Sequence, residues 1–183
     1  MSTQKINTQS IVLIALFAAL TFVGTMIRIP MPTGAFAHLG NAVLLLAVLL
    51  LGYKKGALAG GLGFAIFDLL NDYAIEAPYF ILESFIVGGA AALTVLTFQR
   101  KIDSIQKIIV IAAVSSFAKI IMTQLKNTVG IMLTGSDFSV AFISAISKLL
   151  PTIINTFTTI IIVSLVYFPL KKQFEKIFNR SAF

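Results

Sequence analysis

Six apolar segments follow one another along this chain, separated only where proline, glycine and charge cluster: approximately Gln9 to Ile27, Leu39 to Tyr53, Gly56 to Asn71, Pro78 to Phe98, Ile108 to Met132 and Phe138 to Phe168. Runs of that kind leave few folds open, because a helix that crosses a bilayer takes about 20 residues. The 183 residues are 58% hydrophobic and 11% charged, far from the balance of a soluble globular domain. Mean hydropathy is +0.98, so lipid is the expected solvent. The expected fold is an all-α integral membrane protein, a single domain over 1–183: a six-helix transmembrane bundle with a short amphipathic tail at 170–183.

The second and third segments are short for a full crossing, and Gly52, Lys54, Lys55 and Gly56 are the only punctuation between them. One re-entrant hairpin is the alternative to two spans, but two spans bring the charges into register. Lys5 precedes the first helix. Lys54 and Lys55 join the second to the third, Arg100, Lys101 and Lys107 join the fourth to the fifth, and Lys171, Lys172, Lys176 and Arg180 follow the sixth. All of these then fall on one face, opposite connections holding Arg28, Asp72, Glu76 and Asp137. An excess of Lys and Arg marks the cytoplasmic side, which puts both termini there and makes the net charge of +7 mostly topological. No basic run is interleaved with exposed aromatics, so nucleic acid is not an expected partner. The tail, mixing Lys with Phe174, Ile177 and Phe178, has the pattern of an interfacial helix. The first apolar run follows a polar start carrying only Lys5 and lacks the pattern of a cleaved signal peptide. Cysteine is absent, which removes disulfides, thiolate metal sites and thiol nucleophiles.

Against that background, ionisable groups inside the apolar runs stand out. Lys or Glu at bilayer depth costs roughly 2.5 to 3.5 kcal/mol, so such groups face a bundle interior or a wet cavity. On the fifth helix Lys119, Thr123, Lys126, Asn127 and Gly130 recur three and four residues apart and share one face. The sixth repeats the pattern with Ser144, Ser147, Lys148, Pro151, Thr152, Asn155 and Thr159, and the fourth adds Tyr79 and Glu83 one turn apart. Two polar edges and a carboxylate imply a shared cavity. At about 1.5 Å per residue, Glu83 lies about 8 Å and Lys148 about 15 Å below the outer helix ends, so the cavity opens outward with Lys119 and Asn155 near its floor. The bland alternative is that Lys126 snorkels to the interface and Glu83 pairs with Lys148 or Lys119 as a strut.

Small residues mark close helix approaches: Gly56, Gly60 and Gly63 on the third helix and Gly88 to Ala92 on the fourth suit packing within the bundle, whereas Ala15 and Ala19 on the first suit a partner subunit. The first outer connection, Arg28 to Asn41, holds two prolines, two glycines, Phe36 and the only histidine. Such a loop is stiff yet tightly turned. Over an outward cavity it can act as a lid, with Phe36 stacking on a ligand ring and His38 or Asn41 supplying a hydrogen bond.

The stretch from Ile29 to Gly63, IPMPTGAFAHLGNAVLLLAVLLLGYKKGALAGGLG, resembles the corresponding part of the S components of energy-coupling factor (ECF) transporters, the membrane subunits that capture vitamins. The resemblance extends over nearly all the chain, through the six helices, the Pro-containing first loop, Asp68 near the end of the third helix, and Ala15-xxx-Ala19 at the family's docking motif. It implies a substrate-binding subunit in a bacterial cell membrane that docks onto a transmembrane coupling (T) subunit carrying two ATPases and topples to deliver its vitamin. The sequence agrees on one point independently: it has no G-x-x-x-x-G-K-[ST] run, so energy must come from elsewhere; as a transport subunit in this resemblance, the chain is expected to be no enzyme and to carry no cofactor.

Within that family, the metal-specific branch carries an N-terminal histidine ligand and the thiamine branch leans on tryptophan. This chain has no His in residues 2 to 8 and no Trp, so no metal ligand is expected. The first loop is similar to members assigned to hydroxymethylpyrimidine, pyridoxine or riboflavin. Phe36, Tyr79 and Phe80 suit a ring, while the three lysines suit an anion such as pantothenate. Two further classes stay open: a stand-alone proton-coupled carrier using Glu83 and Asp68, and an intramembrane enzyme drawing on Glu83, His38, Asp68, Ser144 or Ser147. The expected binding residues are Phe36, His38, Asn41, Tyr79, Glu83, Lys119, Thr123, Lys126, Asn127, Ser144, Lys148 and Asn155.

Overall fold

The computed structural model describes residues 8–32 and 35–178. Lys5 and Arg180, used above for orientation, Thr33 and Gly34 of the first connection, and the tail beyond Phe178 lie outside the described residues. Along the chain come helix α1 (Thr8–Met26), strands β1 (Arg28–Pro30) and β2 (Phe36–His38), and helices α2 (Gly40–Leu51) and α3 (Tyr53–Leu70). A short 3-10 turn (Ala74–Glu76) leads into α4 (Ala77–Thr97), followed by α5 (Ile105–Met132), α6 (Phe138–Ser147) and α7 (Leu150–Phe178). Four helical stretches among the described residues, Thr8–Met26, Ala74–Thr97, Ile105–Met132 and Leu150–Phe178, are long and apolar enough to cross a membrane.

At 12 residues α2 spans only about 18 Å, well short of a hydrocarbon core of about 30 Å. It is nonetheless the centre of the molecule: Leu44 to Leu50 are all buried, and Ala47, Val48 and Leu49 have no exposed surface. A helix apolar on every side is stable only when enclosed, and glycine makes the enclosure. Gly52, at φ 85°, reverses the chain between α2 and α3 in one residue. A Cβ at Gly56 would overlap the backbone of Ala47 and Val48, and one at Gly60 the side chain of Leu44. Gly63 sits equally close to Ala18 and Thr21 of α1, and Gly88 of α4 lies against Val48. Where lipid supplies no hydrophobic drive between helices, such contacts carry the association. The packing role read for the third and fourth helices holds.

Three expectations need correction. The sixth apolar segment is two helices, not one running from 138 to 168. Pro151 has no N–H for the carbonyl of Ser147, and its ring disfavours helical backbone at the residue before it. The chain therefore turns at Lys148 and Leu149, whose N–H groups donate back to Ala145 and Ile146 (3.1 and 3.0 Å). Second, α7 continues through Pro169 to Phe178, so the start of the expected separate tail is the last part of α7. Pro169 forfeits one backbone bond, and Phe174 keeps the extension anchored in the core. Third, the first connection is an antiparallel hairpin pairing Arg28 with His38, Ile29 with Ala37 and Pro30 with Phe36, a small sheet in an otherwise helical fold.

The alternation of helices gathers Lys54, Lys55, Arg100, Lys101 and Lys107 at one end of the bundle. The hairpin, the start of α2, the end of α3, the start of α4, the end of α5 and the start of α7 gather at the other.

Candidate functional site

At the hairpin end a cavity of about 660 Å³ opens between β2 and the ends of α3, α4, α5 and α7, within the roughly 300–1,000 Å³ usual for small-molecule sites. Its floor is built on the α4 carboxylate. Glu83, 2% exposed, accepts from the Tyr79 hydroxyl at 2.7 Å through Oε1 and from Lys119 Nζ through Oε2. The α4 spacing of four residues brings Tyr79 over Glu83, and α5 delivers the lysine from the facing helix. Nearer the mouth, Lys126 Nζ donates to Glu76 Oε2 at 2.5 Å. Both partners there are considerably more exposed, at 28% and 38%.

Aromatic rings carry these cations on one wall. Lys119 lies over Phe64 and Phe80 at 5.7 and 5.2 Å from the ring centres, and Lys126 over Tyr79 and Phe80 at 5.3 and 4.9 Å. A second group repeats the arrangement with Arg28 over Phe36 and Phe67 at 4.5 and 4.8 Å, Arg28 also donating to Asn71 Oδ1 at 3.1 Å. Phe67 stacks parallel to Tyr73 at 6.5 Å, and Phe36 meets the same tyrosine edge-on at 5.8 Å. Phe36, Phe64, Phe67, Tyr73, Tyr79 and Phe80 thus gather as an aromatic lining of the cavity.

The hairpin is held over this space by one side chain. Asn155 Oδ1 accepts from the His38 N–H at 2.7 Å, and its Nδ2 donates to the Phe36 carbonyl at 3.1 Å, so α7 satisfies two β2 backbone groups that no third strand covers. His38 itself accepts at Nδ1 from the Gly40 N–H at 3.2 Å. Burial, reinforced by Lys119 and then Arg28, pushes its imidazole down to about 3, so it is neutral at physiological pH and its free proton sits on Nε2.

Of the residues expected to bind, Phe36, His38, Tyr79, Lys119, Thr123, Lys126, Asn127, Lys148 and Asn155 line the cavity. Glu83 stands behind Tyr79 and Lys119 and positions both. Asn41 does not reach the cavity: it lines a separate void of about 10 Å³ with Ser115, Ser116 and Thr159, because its position on α2 points it under the floor. Ser144 is also outside. The break at Lys148 and Leu149 ends the polar edge there, and α6 turns Ala141 and Ala145 inward instead. Lys126 is not simply snorkelling, since it pairs with Glu76, and Lys148 is exposed with no ion-pair partner among the described residues.

The cavity also holds Phe64, Phe67, Asp68, Tyr73 and Glu76, none of them in the expected set. Phe64 and Asp68 stand one turn apart on α3 with Phe67 beside them, a helical periodicity visible in the sequence. Tyr73 and Glu76 lie in the connection between α3 and α4, which no periodicity marks. Among the described residues no three His, Cys, Asp or Glu side chains cluster as a metal site. On the far side of the molecule, Ala15 and Ala19 are exposed on α1 among Ile11, Leu16, Leu20 and Val23, a shallow outward face.

A family model described as "ECF-type riboflavin transporter, S component" matches residues 5–172. No curated protein matches the chain.

Proposed function

The chain belongs to the family of ECF-type riboflavin transporter S components, membrane subunits of transport rather than enzymes, which work with an ECF module of T and ATPase subunits and bind a vitamin; from that premise we propose that it captures a small ring-bearing vitamin or vitamin precursor, of the hydroxymethylpyrimidine, pyridoxine or riboflavin type, in the cavity at its hairpin end. The observation that carries this reading is the aromatic lining of the cavity, Phe64 with Phe80 and Phe67 with Tyr73, around a space edged by Lys119, Lys126 and Asn155. Flat apolar faces supply most of the binding surface, and a few placed polar groups fix orientation.

In this reading the protein is a single domain that makes six passes of a bacterial plasma membrane, α6 and α7 together forming the last, with the cavity facing outward and the basic end in the cytoplasm. It delivers its ligand on docking to a coupling subunit energised by two ATPases. The docking face includes Ala15 and Ala19, whose small side chains leave a shallow apolar surface that another helix can approach.

Mass spectrometry of small molecules carried through purification tests the proposal. A ring-bearing vitamin is expected with the wild type and lost with Glu83→Ala or Lys148→Ala. Ala15→Trp or Ala19→Trp is expected to abolish co-purification with the coupling and ATPase subunits while leaving ligand binding intact. Gradient-driven uptake by the chain alone in liposomes would overturn the reading. Pantothenate is the second candidate, favoured by Lys148, the exposed cation without an ion-pair partner.

A further inference from the structure

Four of the cavity's charges compensate one another, Lys119 with Glu83 and Lys126 with Glu76. Asp68 has no such counterpart. It lines the cavity, is 4% exposed, and its Oδ2 is buried without a hydrogen-bond partner among the described residues. Only its backbone carbonyl is engaged, accepting from the N–H groups of Asn71 and Tyr73 to close the end of α3. An ionised carboxylate can only accept hydrogen bonds. Leaving a buried one unsatisfied costs more than an average hydrogen bond returns; of the cations without an ion pair at this site, Lys148 is exposed and Arg28 donates to Asn71 and lies over two rings. Asp68 therefore makes the stronger demand on whatever fills the cavity.

Its surroundings limit how that demand is met. Phe64 and Phe67 flank Asp68 on the same helix, and Phe80 and Tyr73 face them at 6.0 and 6.5 Å. Aromatic side chains this close to Asp68 suit a flat ring, whose hydrogen-bonding groups lie along its edge. We propose that Asp68 is a specificity-determining residue that receives an N–H edge of the ligand, which makes the ligand class a protonated or amino-substituted nitrogen heteroaromatic ring. A protonated ring nitrogen, alone or beside an exocyclic amine, brings both a donor and the missing positive charge, and charge-assisted or bidentate bonds of this kind are about twice as strong as neutral ones. A hydroxyl brings the donor without the charge. A flavin's ring N–H is flanked by carbonyl oxygens that would face the carboxylate, and an acyclic acid adds a second anion. This inference rests on the S-component reading and narrows its ligand.

Calorimetric titration of the purified full chain in lipid nanodiscs provides the test, with 4-amino-5-hydroxymethyl-2-methylpyrimidine, pyridoxine, the matching substituted benzene of each, riboflavin and pantothenate as probes. At least one of the two nitrogen rings is expected to bind, with its benzene counterpart weaker by about 10- to 100-fold. Asp68→Asn is expected to weaken the nitrogen ring by a similar factor and to leave the benzene counterpart unchanged. The comparison of rings on the wild type needs no substitution, so it stands even if the variant does not fold. Equal affinity for ring and counterpart, binding of neither nitrogen ring, or an unchanged affinity in Asp68→Asn would overturn the proposal. Tight riboflavin or pantothenate binding indifferent to Asp68 would sink it while sparing the S-component reading. The expected ring selectivity in a chain that never co-purifies with coupling and ATPase subunits would do the reverse.

Discussion

Helices α1 to α4 meet through glycine and alanine, with backbone against backbone, whereas α5 and α7 also meet their neighbours through polar side chains: Ser115 to the Val87 carbonyl in mid-bundle, and, toward the hairpin end, Lys119 to Glu83, Lys126 to Glu76 and Asn155 to β2. The first kind of contact leaves no room; the second borders a cavity that α3 and α4 line as well. Close packing without side chains fixes geometry rigidly, because interiors at crystal-like density transmit any added volume as strain. Contacts between long polar side chains span a gap and leave space for a ligand. The difference teaches that glycine contacts build the scaffold while polar contacts frame the site, with two ion pairs at different depths across it.

The largest test of that division is Gly56→Leu, which drives a side chain into the backbone of Val48. It is expected to cost more than about 4 kcal/mol and to abolish recovery of monodisperse protein by size exclusion. Gly130→Leu, with nothing within 4 Å of its Cβ position, is expected to leave recovery unchanged, and similar losses in both would break the comparison. Next comes Glu83→Ala, which strands Lys119 in a buried site; unpairing a buried charge costs about 3–5 kcal/mol. Thermal unfolding in detergent should show most of that loss restored in Glu83→Ala combined with Lys119→Met.

His38 gives a smaller effect with a defined sign. Its folded-state value, about 3, lies below the 6.5 of the free side chain. The unfolded chain therefore takes up a proton below pH 6.5 that the folded chain refuses. Its contribution is fully favourable above that pH and is lost as pH falls toward 3. Between pH 7 and 5 the loss is about 2 kcal/mol, a drop in Tm of roughly 4–8 °C that His38→Asn should remove, since this is the only histidine. Smallest of all, Glu76→Ala opens a pair near the mouth that is partly solvated, and a change of about 0–1 kcal/mol is expected. A loss equal to that of Glu83→Ala would erase the distinction of depth.

Much of this was legible before any coordinates. The period of the fifth segment placed Lys119, Thr123, Lys126, Asn127 and Gly130 on one face, and all five line the cavity. Helical spacing is a local property, so it can be read locally. The sixth segment misled because its polar residues keep the same spacing across Pro151, where the backbone does not. Ser144 was lost there. That Asn41 lines the smaller void beside the cavity could not be read in advance, because nothing in a sequence tells which side of a buried helix faces a void. Tyr73 and Glu76 enter the site through the position of a loop relative to α5, a tertiary fact with no sequence period. Asp68 was noticed for its resemblance to the family, yet that its Oδ2 is buried without a partner is a fact of tertiary packing, which no local pattern in a sequence records.

The full enclosure of α2 has a consequence for how the molecule opens. The requirement that a membrane helix match the bilayer's thickness applies to helices that touch lipid, and α2 hardly touches it. Its central amides are screened on every side by protein, out of reach of both solvents, so deuterium arrives there only when the surrounding helices part. Their exchange rate is in effect a gauge of whole-bundle stability, read from a segment only 12 residues long.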